Sequence, residues 1–379
     1  MIHLLTDILS AQLHQTALSP EIRASLTPEV LSKLYRLAER HDLAHIVRRV
    51  LVENGVDIPD ALRSGFKKSD TLAVYRCAQQ KQTLCEVEGL FDHGQIDYVP
   101  LKGAVLRSFY PTESMRVGCD VDVLVRCQDV ERACEILVQA GYQIQSRNYH
   151  DVTLVSPTRV TLELHFTLRE NTPSLDAVLE RVWTYASPEK GRRHTLDGAF
   201  FVFQAYAHMS YHFLSGGCGL RSLMDIWVME HKMGYSYLDA ASLLEEAGVL
   251  QFAQEMTRLT HVCFDAEAPD DWTELLLRYI LSGGIYGTMQ NKIAMKKSER
   301  GGTVGYAFGR VFLPYETMKQ IYPVLEKASV LLPFCWMHRF FVKLFTGKGR
   351  RAARELQVSR AVSPKKAEAV DNLRKHLGI

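Results

Sequence analysis

The most constraining feature of this 379-residue sequence is a change in the spacing of its hydrophobic residues between about residues 98 and 166. On either side of this stretch, apolar residues recur three and four positions apart, which is typical of amphipathic helices. Within it, short segments alternate polar and apolar residues, which indicates strands with one buried face. The sequence therefore predicts a compact α/β region between two helix-rich regions, an α+β arrangement.

The N-terminal region carries repeated helix-start signals. Ser19-Pro20-Glu21 and Thr27-Pro28-Glu29 each place a capping residue before a proline and an acid, the usual order at a helix N-terminus. A long helix is predicted over about 62–91, ending near Gly94. Helical spacing returns from about Glu170 and is expected to persist, with interruptions, to the end of the chain.

The clearest strand is the segment 120–125, which reads DVDVLV. Its alternation places Asp120 and Asp122 on one face and the valines on the other. The segment 98–101 is expected to be extended, because the residue before a proline avoids the helical region. The remaining predictions in this region are strands at 142–146, 152–156 and 160–166, and a helix at 130–140.

Composition restricts the class of protein. An apolar fraction of 47% can supply a sizeable core, which argues against disorder. The 45 basic and 43 acidic residues leave a net charge of +2, so no specific nucleic-acid partner is expected. The eight cysteines form no CxxC pair and are interpreted as reduced, mostly buried thiols. With no basic region before the first apolar residues and no apolar run of about 18 residues, a cytoplasmic protein is expected.

The paired aspartates carry the strongest chemical signal. Two carboxylates two residues apart on a strand lie about 7 Å apart and point the same way. They would repel each other unless a divalent cation bridged them, and hard oxygen ligands suit Mg²⁺. Glu163 would add a third carboxylate if its strand pairs beside the first, and three such acids can hold two metal ions for phosphoryl displacement. The alternative is a strand with its polar residues turned to solvent.

This order of elements resembles the nucleotidyltransferase superfamily that includes DNA polymerase β: strand, glycine and helix, then DxD on a strand, then an acid on a later strand. More narrowly, LKGAVLRSFYPTESMRVGCDVDVLV followed by LELHF resembles an uncharacterised bacterial nucleotidyltransferase family with LKG, R, DxD and ELH motifs. The resemblance includes the stretches 208–225 and 322–339 and covers most of residues 30–345. It implies a small mixed-sheet nucleotidyltransferase-fold core embedded in a mainly helical protein.

The resemblance also implies a division of the chain and a reaction. The expected parts are an N-terminal helical region (1–94), a nucleotidyltransferase α/β core (95–168), a helical domain closing the cleft (169–345) and a basic C-terminal segment (346–379). The expected reaction moves a nucleoside monophosphate, with AMP from ATP as the leading case, onto an unknown small-molecule or protein hydroxyl and releases pyrophosphate. Mg²⁺ or Mn²⁺ is the expected cofactor. The alternative is a non-catalytic relative that binds a nucleotide or a partner.

Roles for individual residues follow from the same resemblance. Asp120 and Asp122 would bind the metal ions that hold the phosphates, and Glu163 would bind metal near the acceptor hydroxyl. Gly103 would let the backbone approach a phosphate, while Lys102 and Arg116 would neutralise triphosphate charge. The remaining nucleotide-binding candidates are His165, His208, His212, Arg221 and Asp225.

Two departures from the superfamily pattern stand near the glycine. The position after Gly103 usually holds Gly or Ser and here holds Ala104. Seventeen positions separate Gly103 from Asp120 (120 − 103). This longer connection predicts a loop at 110–114 over the site.

Several candidates keep a structural alternative. Arg116 could pair with Asp120 or Asp122, and His165 could be a structural histidine. His208 and His212 are four residues apart, a spacing that can ligate zinc or simply line a cleft. Arg221 and Asp225 have the same spacing and could form a helical ion pair.

The C-terminal end is basic. Residues 340–379 hold ten Lys or Arg and three acids. Together with nearby aromatic residues, this charge permits weak contact with an anionic membrane surface. The alternative is a docked helix followed by a solvated tail.

Overall fold

The computed structural model describes residues 1–170, 172–284, 287–299, 312–345 and 363–379. The strands are β1 (Tyr98–Pro100), β2 (Asp120–Val125), β3 (Gln143–Arg147), β4 (Asp151–Val155), β5 (Thr161–His165), β6 (Ala186–Lys190) and β7 (Arg193–Leu196). The helices before the last strand are α1 (Ile2–His14), α2 (Pro20–Ser25), α3 (Pro28–Arg40), α4 (Ala44–Glu53), α5 (Asp60–His93), α6 (Gly103–Leu106), α7 (Val130–Gln139) and α8 (Pro173–Leu179). Those after it are α9 (Gly198–Leu214), α10 (Leu220–Val228), α11 (Ala241–Glu246), α12 (Leu250–Phe264), α13 (Asp271–Gly283), α14 (Met289–Glu299), α15 (Tyr315–Ile321), α16 (Leu332–Phe345) and α17 (Pro364–His376).

The strands form one seven-stranded mixed sheet in the order β3-β4-β5-β2-β1-β7-β6. β2 lies at its centre, parallel to β5 on one side and antiparallel to β1 on the other. A mixed sheet within a mainly helical chain confirms the predicted α+β class. The strands predicted between residues 98 and 166 are all present, each within one residue of its predicted ends.

The sheet extends further along the chain than predicted. The sequence predicted helical structure from about Glu170, but β6 and β7 occur after α8. Their segments, ASPEK and RHTL, lack an apolar alternation. β7 joins the sheet through β1, where the amide of Tyr98 donates to the carbonyl of Arg192 at 3.1 Å. Tertiary pairing therefore stabilises strands that carry no strong local signal.

The helix-start predictions are confirmed by their caps. The Ser19 hydroxyl accepts from the amide of Ile22 at 3.2 Å, and the Thr27 hydroxyl accepts from the amide of Val30 at 3.4 Å. The long helix predicted over 62–91 is α5, which extends two residues beyond that range at each end. The starts of α2 and α3 were predictable because capping is a local interaction.

Two hydrophobic cores enclose the sheet. On one face, Val121 and Val123 of β2 pack with Phe91 of α5. A larger core joins the N-terminal helices to the later ones, for example Leu9 of α1 with Met256 of α12. Because helices far apart in sequence share this core, the boundaries at 94, 168 and 345 remain a prediction.

The C-terminal helix α17 is docked. Val370, Leu373 and Leu377 are buried in the larger core, and the ring of His376 stacks on Trp272 with centroids 4.0 Å apart. Residues 363–379, which the sequence alternative placed in a solvated tail, therefore form a packed helix. The basic residues in 346–362 lie outside the described residues, and the membrane contact remains a prediction.

Two further observations concern the chemistry of the chain as a whole. None of its eight cysteines, all within the described ranges, forms a disulfide, and five are buried. Across the described residues, no helix combines the length and apolar character needed to cross a bilayer.

Candidate functional site

The site begins at the centre of the sheet, where β2 and β5 run parallel. Asp122 is paired directly with Glu163 in the register of these strands. Asp120 lies two residues earlier and therefore on the same face. The sequence predicted that Glu163 would add a third carboxylate if its strand paired beside that of Asp122. The two strands do pair in this way. We call these three acids the carboxylate wall.

His165 is hydrogen-bonded into this wall. Its Nε2 atom lies 2.9 Å from Oδ1 of Asp122 and 3.5 Å from Oε2 of Glu163. The ligand atoms of Asp122, Glu163 and His165 all lie within 4.8 Å of one another, close enough to surround one metal ion. Asp120 is outside this tightest group but lines the same cavity. The ligand atoms that lie closest together thus belong to Asp122, Glu163 and His165.

The carboxylate wall is electrostatically unbalanced. Burial, together with the charges of Asp122 and Glu163, raises the pKa of Asp120 to about 6. Burial alone would also raise the pKa of Asp122, but Lys102 and His165 hold it well below its usual range. Burial opposes protonation of His165, yet its hydrogen bonds to Asp122 and Glu163 raise its pKa to about 9. Extra positive charge at Asp120 would relieve the remaining repulsion.

Lys102 and Gly103 form the turn from β1 into α6. Lys102 adopts a positive φ of 42°, a strained conformation for a residue with a side chain. Its Nζ atom lies 3.2 Å from Nε2 of His208. A Cβ atom built on Gly103 would lie 3.2 Å from Nη1 of Arg116. The glycine therefore allows the guanidinium to approach the backbone closely.

Arg116 pairs with Asp225 across the cavity. Its Nε atom donates to Oδ1 and Oδ2 of Asp225 at 2.7 and 3.0 Å, and the Tyr110 hydroxyl donates to the same carboxylate at 2.6 Å. Burial opposes the charge on Arg116, but Asp225 and Tyr110 raise its pKa above the usual value. Arg116 therefore pairs with Asp225, and not with Asp120 or Asp122 as the sequence alternative had it.

The same contacts decide whether Arg221 forms the expected ion pair with Asp225. Its Nη1 atom donates to the carbonyl of Val117, while Asp225 is engaged by Arg116. The helical ion pair between Arg221 and Asp225 is therefore not the arrangement found.

The loop predicted over the site is placed differently. Tyr110 is buried, and Glu113 pairs with Lys81 of α5 at 2.5 Å. Residues 110–114 are not among those that line the cavity. The expectation was wrong because Tyr110 is held by Asp225 and Glu113 by Lys81, and the segment stays out of the cavity lining.

The opposite wall is built from α9 and α10. Nδ1 of His208 lies 2.8 Å from Oε1 of Glu170, and its Nε2 atom lies 2.9 Å from Nε2 of His212. Burial, followed by the charge of Lys102, lowers the pKa of His208 well below its usual value. Burial, followed by His208 and Lys102, lowers the pKa of His212 to about 4. Both imidazoles are neutral near pH 7, and the Lys102 ammonium beside them disfavours a zinc ion.

These walls enclose a cavity of about 450 Å³. All eleven predicted site residues line it: Lys102, Gly103, Arg116, Asp120, Asp122, Glu163, His165, His208, His212, Arg221 and Asp225. The sequence reasoning missed Glu170 and Gln204, which also line the cavity. Glu170 follows the LELHF segment by four positions, so proximity to the motif was its only signal. No sequence signal pointed to Gln204, because a single amide within an apolar helix is not a motif.

An acidic strand pair within a mixed α+β fold therefore shares one cavity with a helical wall. A family model described as an uncharacterised nucleotidyltransferase matches residues 28–265, which is more than half of the chain. The chain belongs to this family, as the sequence motifs predicted. Searches of curated proteins and of solved structures returned no match. The family assignment supports nucleotidyl transfer in general, with a nucleoside triphosphate as substrate.

Proposed function

We propose that this protein is a Mg²⁺-dependent nucleotidyltransferase that moves AMP from ATP onto the hydroxyl of a small molecule or protein. The observation that carries the proposal is the direct pairing of Asp122 with Glu163 in adjacent parallel strands. In the reaction, the acceptor oxygen forms a bond to the α-phosphorus, and the bond from that phosphorus to the pyrophosphate oxygen breaks. The hydroxyl proton leaves toward Glu163, and pyrophosphate carries away the negative charge.

The donor set fits a divalent cation. Asp120, Asp122 and Glu163 offer hard oxygen atoms on two rigid strands, which suits Mg²⁺ or Mn²⁺. The raised pKa of Asp120, caused by burial and the two neighbouring acids, marks a site where negative charge is in excess. A bound divalent ion would supply charge neutralisation at the phosphates. His165 would hold Asp122 in place through its 2.9 Å contact, as outer partners of metal ligands commonly do.

The cationic residues are assigned to the triphosphate. Lys102 lies at the junction of the two walls, 3.2 Å from His208. Arg116 is held by Asp225 through Nε, which leaves its terminal nitrogens beside Gly103. A fixed guanidinium recognises phosphate oxygens through its planar fork. We assign Arg221, His208 and His212 to the same ligand, since they line the cavity between these groups.

The test is incubation of the purified protein with NTPs labelled at the α-phosphate and a cell extract, followed by separation of labelled products. We expect Mg²⁺-dependent labelling and pyrophosphate release that are lost in Asp122→Asn. Asp57→Asn is the matched control, because the Asp57 side chain is 90% exposed. Full activity of Asp122→Asn would contradict the proposal. Tight NTP binding without turnover across many acceptors would favour the non-catalytic alternative.

A further inference from the structure

Two chemically different sets of side chains line the cavity. The first set is charged or polar and contains the carboxylate wall, Lys102 and the paired histidines. The second set, which we call the apolar half of the lining, contains apolar side chains that are each at most 8% exposed: Leu168, Leu179, Phe201, Met209, Ile226 and Met229. A triphosphate belongs against the first set, because burial of unpaired charge against apolar side chains is strongly unfavourable. The apolar half suits an uncharged ligand group.

Gln204 is the one side-chain amide among the described residues that line the cavity. Gln204 is only 3% exposed and lines the cavity. Across the described residues, no hydrogen bond to its carboxamide is formed within the protein, although buried amides are almost always paired. The side chain therefore presents one acceptor and two donor hydrogens to whatever occupies the cavity.

Gln204 is positioned by α9. It precedes His208 by four residues on this helix, so the two side chains share a face about 6 Å apart. Phe201 lies a further turn along the same face and also lines the cavity. One face of a single helix thus leads from the phosphate-binding candidates to the apolar half.

We propose that Gln204 and the apolar half bind the nucleobase of the nucleotide, an inference that rests on the proposed function. A carboxamide matches the adjacent donor and acceptor on the edge of a base, as glutamine does for adenine in other recognition sites. The flat apolar faces of the base match the side chains around it, and a few placed polar groups in an apolar pocket are typical of small-molecule sites. An apolar part of the acceptor is the competing occupant.

The experiment compares two ligands by calorimetry in the presence of Mg²⁺: a non-hydrolysable α,β-methylene analogue of ATP and inorganic tripolyphosphate. The variants are Gln204→Leu and, as a matched control on an exposed helix position, Gln139→Leu. We expect Gln204→Leu to weaken the nucleotide about tenfold and to leave tripolyphosphate binding unchanged. The control should bind both ligands like the unmodified protein.

Thermal unfolding separates a ligand-binding role from a structural one. Gln204→Leu should unfold at the same temperature or higher, because an apolar isostere replaces an unpaired amide. Equal nucleotide affinity in Gln204→Leu and the unmodified protein would overturn the inference and assign the apolar half to the acceptor. Parallel loss of both ligands with a lower unfolding temperature would also overturn it. Failure of the unmodified protein to bind either ligand would instead overturn the proposed function.

Discussion

The two walls of the cavity hold their acids in opposite ways. On the carboxylate wall, burial and like charges raise the pKa of Asp120 to about 6. On the helical wall, Asp225 is enclosed by Arg116 and the Tyr110 hydroxyl, both within 3.0 Å. The first arrangement leaves Asp120 with a charge that its surroundings oppose, whereas the second pairs its carboxylate with a guanidinium. We therefore expect removal of a charge to affect ligand-dependent chemistry at Asp120 and stability at Asp225.

The largest expected effect follows from removing charge at the unbalanced wall. Asp120→Asn should lower nucleotidyl transfer about 1,000-fold, equivalent to about 4 kcal/mol of transition-state stabilisation. The metal-free protein should become more stable, because repulsion with Asp122 and Glu163 is reduced. Initial rates and thermal unfolding of the same preparation check both effects. A variant that loses stability along with activity would show that Asp120 has a structural role.

The opposite result is expected at the paired wall. Asp225→Asn leaves the Arg116 charge buried without its partner, which should lower the free energy of unfolding by about 3 kcal/mol. Urea denaturation measures this change, with the exposed-site variant Asp57→Asn as the control. An unchanged unfolding free energy would mean that Asp225, like Asp120, serves a ligand rather than the fold.

The third effect is a pH dependence at the helical wall. The folded-state pKa of His212 is about 4, below the ordinary value of 6.5, so the unfolded chain binds the proton first as pH falls. Protonation of His212 should therefore lower the free energy of unfolding by about 3 kcal/mol between pH 6.5 and 4, with full stability above that window. The titratable groups that act on His212 are His208, Lys102, Glu170 and Asp122.

The measurement for this effect is urea denaturation across pH 4–7. His212→Gln should reduce the loss of stability in acid, while His93→Gln, at an exposed position of α5, should not. Identical pH profiles for His212→Gln and the unmodified protein would show that the helical wall tolerates the added charge.

The smallest expected effect on the rate comes from Glu170, which contacts His208 of the helical wall. Glu170→Gln keeps a hydrogen-bond acceptor 2.8 Å from Nδ1 of His208 but removes the charge. We expect the rate to fall about tenfold, or about 1.4 kcal/mol, because the imidazole is less firmly oriented. Steady-state kinetics should show the loss in kcat rather than KM. A change in KM alone would place Glu170 in ligand binding instead of in orientation.

Prediction from sequence succeeded where interactions are local or periodic. The caps at Ser19 and Thr27, the DVDVLV strand and the amphipathic helices all depend on residues close together in the chain. It was wrong for the segment 110–114, whose partners lie on α5 and α10, and for the segment 186–196, whose strand β7 depends on pairing with β1. The residues Glu170 and Gln204 were missed because their significance depends on what faces them.

The sequence by itself determined the α+β class, the paired aspartates and their family resemblance, because alternation and motif spacing are properties of the chain. Only the tertiary structure decided how those residues are grouped. It paired Asp122 with Glu163, assigned Arg116 to Asp225 and placed Gln204 in the lining of the same cavity. The physical reason is that strand register and helix packing are set by the burial of distant apolar faces, which no local pattern specifies.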